Sequence, residues 1–479
     1  MTEPAGIEPA GIARNGAARR RRVLLLNPPG RDLYIRDYFC SKTTKSNYLF
    51  HPIDLVVLSG SFAAQHEVAV LDAIAERLSP ADALERVRAF APDAIVSLVG
   101  AVSWEEDREF LRAAKEATRA ALYVIGDVIH DGGEPVLEDE PWIDGCFQSF
   151  ANGDALALVE ERDADLADAC VRRGGRVERR RAAKARGTYR VPTPRHDLFP
   201  RRGYSFSFAR RAPFATVLTD YGCPYPCTFC VIGTLGFAQR PVEDVLEELR
   251  FLRSLGVREL FVMDQTFGVV RARGLELCAA MERLKLDFTW TTYARPDLAD
   301  AELLGAMKRA GCHTVMMGVE TPDDAVLASY RKGYLSDEVR TGFARARAAG
   351  LRTVGTFIIG LPEETEESIQ RTVDYAIELG MDFASFNVAV PRFGTPFRRD
   401  AIAQGVADPA ARMMDQGGAT ASMPTLTLSR ERMEALKRRA IRRFYLRPSY
   451  LLRRLASVRT AHELRSQVAE GIALLRRNV

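Results

Sequence analysis

Three cysteines in one short stretch are the residues of this chain most suited to chemistry. Asp220-Tyr-Gly-Cys-Pro-Tyr-Pro-Cys-Thr-Phe-Cys230 places Cys223, Cys227 and Cys230 at C-x3-C-x2-C spacing. An apolar run, Phe214-Ala-Thr-Val-Leu-Thr219, precedes them and reads as a buried strand. Three thiolates on one loop can hold three irons of a [4Fe-4S] cluster, leaving the fourth iron without a protein ligand from that loop. Gly222, Pro224 and Pro226 keep the loop out of helix, so the sulfurs can converge. Two other readings stand beside this one. The cysteines could be buried small hydrophobes, or they could hold zinc. Zinc usually takes four ligands, often as two C-x2-C pairs, and no second pair exists here.

This motif, with Phe229 before the last cysteine and a strand before the first, resembles the radical S-adenosylmethionine (SAM) superfamily. The resemblance implies that SAM chelates the open iron, that one electron from the cluster cleaves it, and that a 5′-deoxyadenosyl radical then abstracts a hydrogen atom. An electron donor such as flavodoxin or ferredoxin is implied as a partner.

Something must position that loop. Past residue 240 the pattern alternates strand and helix. An amphipathic helix over 241–255 leads to the strand Glu259-Leu-Phe-Val-Met263. Further elements follow at 270–284, 287–292, 300–310, 313–318, 336–349, 352–359, 364–379 and 383–388. About six β/α units match the partial TIM-type (β/α)6 barrel of the superfamily, whose chemistry sits at the carboxyl ends of the strands. The resemblance carries roles to those ends. Asp264 and Gln265 fall where relatives bind the SAM amino group, although many have two acidic residues there. Arg295 could pair a carboxylate. Glu320 lies in the fourth-strand motif, reaching SAM's ribose or amino group. Phe357 and Ile358 would pack near adenine, and Gly360 permits close backbone approach. No catalytic residue beyond these cofactor contacts is assigned.

The first third of the chain carries its own alternation. Strands are expected at Val23–Leu26, Val68–Asp72, Ala94–Gly100, Leu122–Gly126 and Gly145–Phe150, with helices near 53–64, 81–90 and 105–119. This is the pattern of an open parallel α/β sheet, Rossmann-like. Followed by a radical SAM core, it resembles the cobalamin-binding subclass of the superfamily. Many such domains carry D-x-H-x-x-G after the first strand, where the histidine binds cobalt. Here the loop Gly30–Cys40 has no histidine, and His130 follows the fourth strand at the wrong spacing. Two options remain: cobalamin bound without a protein axial ligand, or a domain that keeps the fold without the cofactor. The long loop 31–51, rich in polar and aromatic residues, is expected to cover the cobalamin face or the substrate.

The expected organisation is a disordered basic tail (1–22), a cobalamin-binding-like domain (23–165), an Arg-, Gly- and Pro-bearing linker (166–212), the radical SAM core (213–400) and a helical C-terminal segment (401–479). In the last, Met433, Leu436, Ala440, Ile441, Phe444 and Tyr445 form an apolar stripe flanked by basic residues. Such a helix packs on the barrel or lies on a membrane surface.

Composition narrows the function. The net charge of +4 over 479 residues argues for no domain-wide basic field, and few aromatics interleave the arginines, so nucleic acid is not expected as a partner. No apolar run is long enough to span a membrane. Scattered cysteines fit a reducing cytoplasm. Cys40, Cys146 and Cys170 lie far apart and no cysteine follows Cys312, which argues against further clusters and against the methylthiotransferase branch. The expected activity is cobalamin-dependent methylation of an unactivated carbon on a small-molecule, lipid or natural-product substrate. The alternatives are the same architecture used for cyclisation, rearrangement or C–C bond formation, and a non-catalytic cobalamin or redox sensor.

Overall fold

The computed structural model describes residues 19–38, 41–42, 48–130, 132–181, 184–412, 414–415 and 420–457, with 468, 471 and 472. Most of the expected N-terminal tail therefore lies outside the described residues, but its last residue, Arg22, opens a strand.

The N-terminal third folds as expected. Strand β1 (Arg22–Asn27) is followed by two short strands of the long loop, β2 (Tyr34–Ile35) and β3 (Ser41–Lys42), and by helix α1 (Ile53–Ala63). Then come β4 (Glu67–Asp72), α2 (Pro80–Phe90), β5 (Ala94–Val99), α3 (Trp104–Thr118), β6 (Ala121–Gly126), α4 (Glu134–Asp139), β7 (Gly145–Phe147) and α5 (Asp154–Val159). Strands β1, β5 and β6 are near-continuous apolar runs because helices cover both faces of the sheet. Helix α2 begins where Ser79 accepts a hydrogen bond from the Asp82 backbone N–H and Pro80 occupies the first turn.

The stretch expected to be a linker does more than connect. Arg172, Arg173, Arg176 and Arg179 lie in strands β8 (Ala169–Arg173) and β9 (Arg176–Arg179), which extend the sheet antiparallel to give the order β4-β1-β5-β6-β7-β8-β9. The charged residues are tolerated because carboxylates meet them: Arg173 pairs with Asp163 at 2.7 Å and Arg179 with Glu134 at 2.9 Å. Strand β10 (Ala185–Thr188) then crosses to the second domain.

There, β11 (Phe214–Val217) starts the barrel, and β12 (Asp220–Gly222) and β13 (Gly236–Gln239) flank the cysteine loop, forming a small sheet in the order β10-β13-β12. The barrel continues with α6 (Val242–Ser254), β14 (Glu259–Val262), α7 (Arg271–Arg283), β15 (Thr289–Ala294), α8 (Ala301–Arg309) and β16 (Cys312–Glu320). A short helix α9 (Asp324–Ser329), not foreseen, precedes α10 (Ser336–Ala348), β17 (Arg352–Ile359), α11 (Glu366–Glu378) and β18 (Phe383–Val388). The six strands pair parallel in the order β11-β14-β15-β16-β17-β18. This is the expected partial barrel.

Helices α12 (Pro396–Ala403), α13 (Arg430–Tyr445) and α14 (Pro448–Ser457) follow. The apolar stripe of α13 is not available to a membrane. Met433, Leu436, Ala440, Ile441 and Phe444 are buried, and α13 packs on α11 and β18. Among the described residues no helix is long and apolar enough to cross a membrane.

Candidate functional site

The cysteine loop is held from both ends. Strands β12 and β13 pair antiparallel, and the Cys223 N–H donates to Gly236 O at 2.8 Å. Gly222 has φ +75°, and a Cβ there would stand 2.0 Å from Gly236 O, so this close approach needs glycine. The Thr228 N–H donates to Tyr330 O at 3.1 Å, tying the loop to the end of α9. All three cysteines line one cavity of about 640 Å³ at the carboxyl ends of the barrel strands. Burial raises the Cys223 thiol pKa, and burial followed by the charges of Cys227 and Cys223 pushes Cys230 up to about 12. Thiolates that repel one another in a desolvated wall need cations among them, which the irons of a cluster would supply. The donor set therefore fits a [4Fe-4S] group held by Cys223, Cys227 and Cys230. Among the described residues no three His, Cys, Asp or Glu side chains close on a point as around one metal ion; the thiols share a cavity wall instead.

The residues assigned to SAM divide. Phe229, Gln265, Arg295, Glu320 and Ile358 line the cavity. Asp264 does not: it is fully buried and accepts hydrogen bonds from the backbone N–H groups of Thr219 (2.6 Å) and Asp220 (2.9 Å). It fixes the turn into the cysteine loop. Phe357 points the other way from its neighbour, because side chains alternate along a strand. It is fully buried and stacks on Phe386 at 5.2 Å in the core between barrel and helices. Gly360 has φ +91° and approaches Met433 rather than the cavity. Its N–H and that of Leu361 donate to the Glu364 carboxylate.

Two cations that sequence reasoning did not join come together here. Lys332, which follows α9, donates to Glu320 Oε1 at 2.5 Å, and its Nζ lies 5.5 Å from the Phe229 ring centroid. Burial works against its charge, but Glu320 prevails and the Lys332 pKa is raised. Glu320 itself has φ +62°, and Gly318 leaves the room: a Cβ there would stand 2.5 Å from Glu320 Oε1. Arg295 donates to Asp297 at 3.0 and 2.9 Å and to Lys332 O at 3.0 Å, and it lies 3.6 Å over the Tyr225 ring. Its carboxylate is thus Asp297. A charged residue before glycine on the connection between α9 and α10 is the only sequence signal that marks Lys332.

The two domains meet over this cavity. Sheet order β4-β1-β5 puts the switch point between β1 and β5, where ligands of such sheets bind. Arg36 fills that place. It donates to Asn27 Oδ1 (2.8 Å), Pro28 O (2.9 Å) and Asp107 (2.7 Å), with neither side chain of the Arg36–Asp107 pair exposed. Next to it Asp37 lines the cavity, as does Arg392, whose guanidinium donates to Tyr38 O at 3.2 Å and lies 3.5 Å from Asp127. Burial raises the Asp127 pKa to about 7 and lowers that of His130 to about 4. His130 bonds Thr234 at 2.7 Å, joining β6 to the stretch after the cysteine loop. The Thr234 hydroxyl donates to Val231 O, so it accepts from His130 Nε2–H. His130 does not line the cavity.

Comparison with known proteins places these features in a class. Residues 217–376 match the Radical SAM superfamily. The chain is 28% identical over 418 residues to an uncharacterized methyltransferase of Pyrococcus horikoshii, covering 84% of this chain and 89% of that one. It is 25% identical over 459 residues to the cytidylyl-2-hydroxyethylphosphonate methyltransferase of Streptomyces wedmorensis, covering 84% and 85%. Its fold is similar to that of the radical SAM methyltransferase TsrM from Kitasatospora setae, solved with cobalamin and a [4Fe-4S] cluster (TM-score 0.66, 20% identity, 82% and 80% covered). It is also similar to the cobalamin-dependent radical SAM enzyme OxsB, solved with aqua-cobalamin and SAM (TM-score 0.69, 15% identity, 96% and 72% covered). Residues 217–376 thus carry a radical SAM domain, and the chain as a whole has the fold of cobalamin-bound radical SAM enzymes and is similar in sequence to methyltransferases.

Proposed function

We propose that the protein is a cobalamin-dependent radical SAM methyltransferase of an unactivated carbon, working in the cytoplasm with a small electron-transfer protein such as a flavodoxin or ferredoxin. The observation that carries the reading is the single cavity walled by the three cysteines, by Gln265 and Glu320 at strand ends, and by Asp37 from the N-terminal domain. One space thus touches the cluster loop, the candidate SAM contacts and the domain whose relatives carry cobalamin. When bound, the cluster supplies the electron that cleaves SAM, and cobalamin supplies the methyl group.

The chain's own residues bind and orient. Lys332 and Arg295 bring positive charge beside the thiolates and beside any carboxylate set between them. Glu320 is held by Lys332 so that its oxygens face the cavity, suited to an ammonium or ribose hydroxyl. Ile358 and Phe229 offer apolar surface to an adenine. Asp264 and Phe357 support from behind, fixing the loop and the strand. A second reading has a specific basis. Arg36 occupies the switch point, which favours a domain that keeps its fold without the cofactor and a radical reaction without methyl transfer.

Anaerobic purification decides between them. About four irons per chain with bound cobalamin, and formation of both 5′-deoxyadenosine and S-adenosylhomocysteine from SAM, support methyl transfer. 5′-Deoxyadenosine alone, with no corrinoid taken up on reconstitution, establishes the second reading. Failure to form 5′-deoxyadenosine with reductant present overturns both.

A further inference from the structure

Cys146 and Cys170 are separated in the sequence, but the fold sets them side by side. They stand directly opposite each other on β7 and β8, and Arg179 of β9 stands directly opposite Cys170. Residues paired across an antiparallel ladder share a face, so two thiols and a guanidinium form one row. In this ladder the Arg172 N–H donates to Asp144 O at 2.8 Å and the Gln148 N–H to Asp168 O at 3.2 Å. Hydrogen-bonded pairs alternate along such a ladder, so Cys146 and Cys170, two places from each, are one as well. Their Cα atoms are then about 5.5 Å apart, inside the roughly 4.4–6.8 Å that a disulfide spans. The side chains already touch, the Cys146 thiol donating to the Cys170 sulfur.

The surroundings prepare one of the two for attack. Both are buried, with 0% and 1% exposure. Arg179 Nη1 lies 3.9 Å from Cys170 Sγ and 2.9 Å from Glu134 Oε2. The hydrogen bond from Cys146 lowers the Cys170 pKa; burial opposes this and the Arg179 charge adds to it. Cys146 keeps its proton, held by that same hydrogen bond and by burial. The way in is past Arg179, because β9 ends the sheet and the Arg179 side chain is 15% exposed. Neither thiol lines the cavity, and the chemistry proposed above does not use them.

The Cys146 sulfur also supports a loop that joins the domains. A Cβ at Gly133 would stand 2.0 Å from it, so the backbone entering α4 rests on this atom. The same connection carries Asp127, 3.5 Å from Arg392, and His130, which bonds Thr234 beyond the cysteine loop. A disulfide of about 2.05 Å would draw the Cys146 sulfur toward Cys170 and away from Gly133.

We propose that Cys146 and Cys170 are a reversible dithiol–disulfide couple through which oxidising conditions reach the seam between the two domains. The oxidant is a small-molecule disulfide such as glutathione disulfide. The Cys170 thiolate attacks one of its sulfurs and expels one thiolate. Cys146 then gives up its proton and attacks the Cys170 sulfur of the mixed disulfide, forming the Cys146–Cys170 bond and expelling the second thiolate. Two electrons pass from the protein to the external disulfide, and the protons of the two cysteines end on the two departing thiols. An external dithiol reverses the exchange. In a reducing compartment such a bond is transient, which suits a sensor rather than a brace. The couple does not depend on the reaction proposed above.

The full-length, cluster-loaded protein is incubated anaerobically with glutathione disulfide, quenched in acid, alkylated and mapped by mass spectrometry. A peptide pair joined through Cys146 and Cys170 is expected at unchanged iron content, and dithiothreitol should remove it. Hydrogen exchange at Asp127–His130 and at 231–235 should rise about twofold or more in the oxidised protein. Cys146→Ser should stop at the mixed disulfide of Cys170 with glutathione. Absence of the link in the parent, or a Cys170–glutathione adduct there without it, overturns the proposal. So does a link that forms only in urea or only as iron is lost, since it comes from unfolded chain. A link that leaves exchange unchanged in both stretches overturns the role at the seam. A protein that passes these tests but fails to cleave SAM loses its proposed reaction and keeps its switch.

Discussion

At the scale of single residues, the cavity is built from charges that burial would otherwise forbid. Lys332 and Glu320 are each the other's compensation. Lys332→Met should lower stability by about 3 kcal/mol, because it leaves a buried carboxylate alone, whereas the double replacement Glu320→Leu with Lys332→Met should return much of the loss. Urea unfolding of the two variants checks the difference. Cys227→Ala should reduce iron below that of the parent and abolish SAM cleavage, since two thiolates remain to hold the group. Glu364 gives a pH signature. Burial raises its pKa to about 7 from 4.5, so the folded state holds a proton that the unfolded state has lost. Its contribution is fully present below about pH 4.5 and is lost as pH rises through about 7. Glu364→Gln should therefore melt higher than the parent at pH 8, with the gap closing at pH 5.

At the scale of elements, glycine marks the places where backbone meets backbone. Gly222→Ala should disrupt the β12–β13 pairing and lower iron incorporation while leaving the N-terminal sheet intact; a loaded protein of normal iron content would refute the role given to this turn. Helix α13 is a packed element, so Phe444→Ala should cost about 3–5 kcal/mol, as large-to-small changes in a core do. The elements show what the sequence could carry. Alternation located all five parallel strands of the first sheet and every strand from β14 to β18, because long apolar runs between turn residues admit few other readings. It could not say which of Phe357 and Ile358 faces inward, since period two permits either face and only the packing of Phe386 decides. Nor could it find strands in an arginine-rich stretch. Arg173 and Arg179 read as solvated linker until Asp163, across a turn, and Glu134, 45 positions away, are brought beside them.

At the scale of the whole molecule, the two domains share one cavity, and the residues that join them come from loops. Arg392 holds Tyr38 and Asp127 across the seam. The C-x3-C-x2-C loop was legible because its chemistry is local, whereas this seam was not, because its members lie about 90 to 350 positions apart. The incomplete barrel carries a further consequence. The open side is finished by the 206–209 segment and by α13 and α14, none of which belongs to the β/α repeat. On the function proposed here, the loop that would start the radical and the segments that close the cavity wall lie in separate parts of the chain. That loop can stay as it is while a relative exchanges those wall segments, so new substrates can be acquired by replacing a panel and leaving the engine untouched.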